Sequence, residues 1–322
     1  MNSQFHIAGE IELEDVDGIS CIRLNPWNSE FLAISTWNGF IVIYNINSKT
    51  QKSRSNLHCP QLAVEWVAAN SYASAGADGI VYINDDQIGY HNSPISSLAF
   101  STKNHILASG SYDGVVKLWN TRTNQFIFEF STDDKIYCMA AASPNKIVCG
   151  CLENQVFCLD CNTHKYEFIK TINHGYNTRQ IAAYKSIIAT SVVQGRVAIV
   201  NLKDQKDKYA FKAHISESKG KSAFQMNDSS KTIYPVNALC FQPTTNYLAT
   251  GGTDGVVHIW DIENRIKRQT LNDEEKEMPF ETSISSISFS NDGNILAVAV
   301  SYCFEQGPIE HPPDRLIIYL NR

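Results

Sequence analysis

Residues 106–120 read ILASGSYDGVVKLWN, and residues 247–261 read YLATGGTDGVVHIWD. Each phrase runs a small-residue stretch into an Asp-Gly pair, then alternates residues up to a Trp. Internal repetition dictates architecture before any single residue does. Looser copies follow the same outline: FLAISTWNGFIVIYN (31–45), SYASAGADGIVYIN (71–84), KIVCGCLENQVFCLD (146–160) and IIATSVVQGRVAIVN (187–201). A seventh, ILAVAVSY (295–302), is interrupted before LIIYL (316–320). Gly39, Gly79, Gly114, Gly195 and Gly255 mark the turns. Their spacing is about forty residues, apart from a degenerate copy after Gly114 and an insertion after Gly195.

Each copy follows an alternating strand: ISCIRL (19–24), LAVEW (62–66), ISSLAF (95–100), IYCMAA (136–141), RQIAAY (179–184), VNALCF (236–241) or ISSISF (284–289). Period-two alternation flanked by turn residues reads as short antiparallel strands. Asn38-Gly39, Asp78-Gly79, Asp113-Gly114 and Asp254-Gly255 supply the positive φ of tight hairpins. The charged NDEEKEM (272–278) reads as a short helix or a solvated loop. Period, strand count and the pairs Trp119-Asn120 and Trp260-Asp261 resemble the WD-repeat β-propeller. That resemblance implies an all-β, seven-bladed propeller formed by a single domain over residues 1–322. QFHIAG (4–9) is then expected to join the last blade and close the ring, which removes exposed sheet edges.

Composition bounds the function. The chain has 322 residues, 43% hydrophobic and 19% charged, with net charge −6. Net acidity argues against non-specific nucleic-acid binding. No apolar run is long enough to span a membrane, and the acidic first residues lack a signal-peptide core. Nine cysteines, an odd number, favour reduced thiols in the cytosol or nucleus. Cys149-Gly-Cys151 and the Cys158–Cys161 pair read as small buried strand residues, because no zinc-finger spacing accompanies them. No metal or cofactor is expected. His91, Ser109 and Asp113 form a catalytic set only on paper, since such residues in WD blades tie adjacent loops together. No nucleophile elbow, phosphate loop or His-Glu-x-x-His motif occurs, so no enzymatic activity is expected.

Identical turns cannot discriminate partners, so function is sought where the copies differ. Trp37 and Tyr112 precede their turns where other copies carry Ala77, Val193 and Thr253. Exposed aromatics there mark a binding surface, or pack on a neighbouring blade. Arg196 follows its turn where other copies carry Phe40, Ile80, Val115 and Val256. A guanidinium there suits carboxylate or phosphate recognition, or is a solvated surface charge.

Six stretches narrow the resemblance: GRVAI (195–199), KYAFKAH (208–214), IYPVNAL (233–239), ATGGTDG (249–255), SFSNDGNILAVAVSY (288–302) and EHPPD (310–314). Together they resemble the Bub-type WD-repeat family of kinetochore proteins in the mitotic spindle checkpoint. The related Rae/Gle-type mRNA-export family shares the first two stretches and provides the alternative reading. The resemblance implies a non-catalytic adaptor, a monomer in isolation. It would bind GLEBS-type motifs of checkpoint kinases and adaptors, and phosphorylated Met-Glu-Leu-Thr repeats of a kinetochore scaffold. Its location would be the nucleus and mitotic kinetochore, with a cytoplasmic pool. The export alternative would bind a nucleoporin GLEBS motif instead. Carried over by position, the resemblance implies partner contacts at Trp37, Tyr112, Thr178, Arg179, Arg196, Lys212, His214 and Tyr234. The family usually has Trp at the position of Tyr112 and Arg at that of Ile215.

Overall fold

The computed structural model describes residues 4–152, 155–169, 177–216, 232–272, 279–304 and 306–321. The expected helix-or-loop segment after Asn272 and most of the insertion after Ser216 lie outside these residues. Seven four-stranded antiparallel sheets are arranged as blades. Blade 1 comprises Ile19–Leu24, Phe31–Thr36, Phe40–Asn45 and Thr50–Asn56. Blade 3 comprises Ile95–Ser101, Ile106–Ser111, Val115–Asn120 and Gln125–Ser131, and blade 5 comprises Thr178–Tyr184, Ile187–Val192, Arg196–Asn201 and Lys208–Lys212. Blade 6 comprises Val236–Phe241, Tyr247–Gly252, Val257–Asp261 and Ile266–Leu271. Blades 2 and 4 begin at Gln61 and Ile136.

Blade 7 closes the ring. Ile284–Phe289, Ile295–Val300 and Arg315–Asn321 come from the chain's end, and Phe5–Glu12 pairs as the outermost strand. Gln269 of blade 6 clamps that strand. Its side chain accepts from the Phe5 N–H at 2.9 Å and donates to the Phe5 carbonyl at 2.7 Å.

Packing explains the small-residue phrases. Apolar side chains gather in clusters between neighbouring blades, such as Leu118 with Ile136 and Ile147 between blades 3 and 4. The second strand of each blade is covered on both faces, so Ile106–Ser111 is buried throughout. A Cβ on Gly110 would lie 2.6 Å from the Ile136 side chain, and one on Gly251 would lie 2.4 Å from Ile284. Blades approach this closely only with small residues there. The turn glycine Gly114 has φ 79° and Gly255 has φ 69°, the left-handed conformation the sequence demands. Cys138, Cys149, Cys151, Cys158 and Cys161 are free and buried in or beside blade 4. Burial pushes the Cys158 thiol up to about 11, so it stays protonated.

Candidate partner-binding rim

The turns between second and third strands, and the connections between blades, share one end of the ring. All eight residues implied by the resemblance fall in or beside these segments. They form three stations rather than one pocket.

The first station is Trp37, 54% exposed on blade 1. Its main-chain N–H donates to the Gly18 carbonyl at 2.8 Å. Its ring packs over Gly18, where an added Cβ would approach within 2.8 Å. The Gly18 N–H in turn donates to the Asp314 carboxylate at 2.7 Å. Asp314 ends the long connection that replaces the tight turn in blade 7, where Phe304 is 68% exposed and Ile309 46%. The EHPPD stretch therefore props the Trp37 station, a link the sequence placed nearly 300 residues apart.

The second station joins blades 3 to 6. The half-buried Tyr112 ring lies 5.2 Å from that of Tyr137. Burial raises the Tyr112 phenol pKa and Tyr137 adds to this, while the nearby Arg179 guanidinium opposes. Arg179 is exposed, and its Nε donates to Asn237 Oδ1 at 2.8 Å. Asn237 Nδ2 is enclosed without a partner among the described residues. Tyr137 and Asn237 escaped the sequence reading. Each sits inside a strand whose alternation is satisfied without assigning it any contact. Thr178 is corrected here: it is buried, its hydroxyl enclosed, so it offers a partner no surface.

The third station is the cationic one. Arg196 and Lys212 are directly opposite across neighbouring strands of blade 5, and both are exposed. Among the described residues neither forms an ion pair. Like charges facing across a ladder destabilise the sheet, so the pair is poised for an anion. Tyr234 lies in the following connection and donates its N–H to the His214 carbonyl at 3.1 Å. Burial raises its phenol pKa, with the Asp254 carboxylate contributing.

His214 is the second correction. Its side chain is fully buried, and both ring nitrogens are occupied. Nδ1 lies 2.9 Å from the Asp254 carboxylate and Nε2 2.8 Å from Thr250 Oγ1. Thr250 also accepts from Trp260 Nε1 at 3.0 Å. The same set recurs in blade 3. His91 Nε2 lies 2.8 Å from Ser109 Oγ, which accepts from Trp119 Nε1 at 2.8 Å, and Asp113 stands 3.4 Å from His91 Nδ1. These networks tie each interblade connection to the next turn. His214 thus belongs to the scaffold, as the sequence reading had assigned His91.

A ring of four-stranded blades with this His–Asp–Ser/Thr–Trp network, and a rim of deviating residues, defines a WD-repeat β-propeller. Residues 87–120 and 227–261 match the WD domain, G-beta repeat family. The RRP9 WD40-repeat structure has the same fold, with TM-score 0.81 at 17% identity over 99% of this chain and 100% of its own. The mitotic checkpoint protein bub3 of Dictyostelium discoideum is 31% identical, covering 96% of this chain and 93% of that protein. The chain belongs to the Bub3 family of mitotic checkpoint proteins. A Poly(A)+ RNA export protein of Schizosaccharomyces pombe is also similar, at 26% identity over 92% of this chain and 85% of its own.

Proposed function

We propose that this protein is a non-catalytic adaptor of the spindle assembly checkpoint, acting in the nucleus and at mitotic kinetochores. Its rim clasps GLEBS-type motifs of checkpoint kinases and adaptors, and phosphorylated Met-Glu-Leu-Thr repeats. Trp37 and Tyr112 provide aromatic contacts, while Arg179, Arg196 and Lys212 provide the charge; Tyr234 borders the cationic station. The observation that carries this reading is the Arg196–Lys212 pair, two exposed cations opposite one another in register. Adjacent glutamates or a dianionic phosphate would relieve their repulsion. Arg brings a planar fork and Lys a mobile point charge, so the two together suit either anion. A rigid rim also offsets part of the cost of ordering a disordered segment.

The similarity to an RNA export protein favours one second reading, in which the rim binds a nucleoporin GLEBS motif. Calorimetry separates the two. A Met-Glu-Leu-Thr peptide should bind more tightly when its threonine is phosphorylated, by about tenfold for one added charge-assisted contact. Equal affinities for the two peptides would remove the phosphate-reading role and favour the export reading.

A further inference from the structure

Blade 6 carries a cluster that its nearest internal copy lacks. Among the described residues, His214, Asp254 and His258 place ligand atoms within 4.8 Å of one another. His258 lies on the third strand, and its ring stacks on His214 with centroids 4.8 Å apart and planes 27° apart. Blade 3 repeats the His–Asp network through His91 and Asp113, yet Lys117 occupies the position of His258. A cation at that register excludes a second one. Among the described residues, only the blade 6 copy turns a His–Asp pair into a His–Asp–His set.

We infer that His214, Asp254 and His258 form a binding site for a divalent metal ion of the zinc class, between the blade 5–6 connection and blade 6. Two imidazoles and one carboxylate are a common zinc donor set, leaving a fourth position for water or another ligand. Tetrahedral ligands at about 2.0–2.1 Å stand roughly 3.3 Å apart. The His214 and Asp254 atoms are already 2.9 Å apart. That pair has to part by a few tenths of an ångström, and the half-buried His258 ring, whose Nδ1 lies 3.0 Å from Thr270 Oγ1, has to move inward with Nε2 toward the ion.

Ion binding requires a change of tautomer at His214. Trp260 Nε1 donates to Thr250 Oγ1. The Asp254 carboxylate can only accept, so neutral His214 carries its proton on Nδ1 and accepts the Thr250 hydroxyl at Nε2. For Nδ1 to bind the ion, the ring proton moves from Nδ1 to Nε2, so His214 stays a neutral imidazole. The Nε2–H then donates to Thr250 Oγ1, whose hydroxyl hydrogen turns away from the ring, and this bond orients the ligating histidine. A bound ion would brace the connection leading to Tyr234 and stabilise the folded state by mass action.

The test uses untagged, chelator-treated protein titrated with Co²⁺ and Zn²⁺, read by visible absorption and thermal unfolding. One saturable site is expected, with the d–d bands of nitrogen and oxygen ligation and a rise in Tm. His258→Ala and His258→Asn, which leave the His214–Asp254–Thr250–Trp260 network intact, should each weaken binding by more than about tenfold and abolish the Tm rise. Absence of a saturable site in the wild type would overturn the inference. So would undiminished binding in both variants, or thiolate-to-cobalt charge-transfer bands, which place the ion on cysteine.

Discussion

His91 and His214 do the same work in two places, and only one was recognisable in the sequence. His91 sits close before its Asp113. An insertion separates His214 from Asp254, which are 40 residues apart. Distance in sequence hid a bond that geometry makes short, and His214 then read as a rim contact. His91 also carries a prediction. Burial lowers its pKa below 6.5, against the opposing pull of Asp113. The unfolded chain takes up a proton as pH falls through about 6.5, while the folded His91 stays neutral. Its stabilising contribution is therefore full above about pH 6.5 and declines as pH falls toward the folded value, at most about 1.4 kcal/mol per pH unit. Urea unfolding of wild type and His91→Gln at about pH 7.5 and about pH 5.5 checks this. The stability gap between the two proteins should narrow at the lower pH. A constant gap would mean that His91 titrates normally in the folded state.

At the scale of strands and turns, the sequence was largely legible because each signal there is local. Alternation fixes which face is buried, and Asp-Gly fixes the hairpin. The repeated small residues record how closely neighbouring blades approach. What escaped was long-range pairing of polar groups: Arg179 with Asn237, and Gly18 with Asp314. No periodicity encodes such bonds, since a satisfied strand pattern leaves polar partners unspecified. The closing strand was legible for a physical reason, because a ring of blades requires its last edge to be covered. Removing residues 1–12 should expose the edge of Arg315–Asn321 and strand Gln269 without its two backbone partners. Calorimetry and light scattering should find a lower Tm and self-association. An unchanged, monomeric variant would mean that Phe5–Glu12 does not hold the ring.

The whole molecule is a rigid ring whose repeats have been spent on stability, leaving recognition to positions where copies disagree. Of the eight rim residues implied by the resemblance, six retain accessible surface and two are internal. Thr178 and His214 could not be sorted from the others in sequence, since burial at a blade junction depends on the neighbouring blade. Arg196 could be sorted, because a charge replaced the apolar residue of the other copies. Lys212 faces it in register, and the resulting doubled charge is the centre of the functional proposal. The most direct measurement is binding of a GLEBS peptide to Arg196→Glu, with thermal unfolding of the same variant. The account predicts loss of about 2–5 kcal/mol of binding, as expected when a charge pair is broken, with Tm maintained or slightly raised, because the side chain is exposed and an acid there ends the repulsion with Lys212. A variant that binds the peptide as well as the wild type would contradict it.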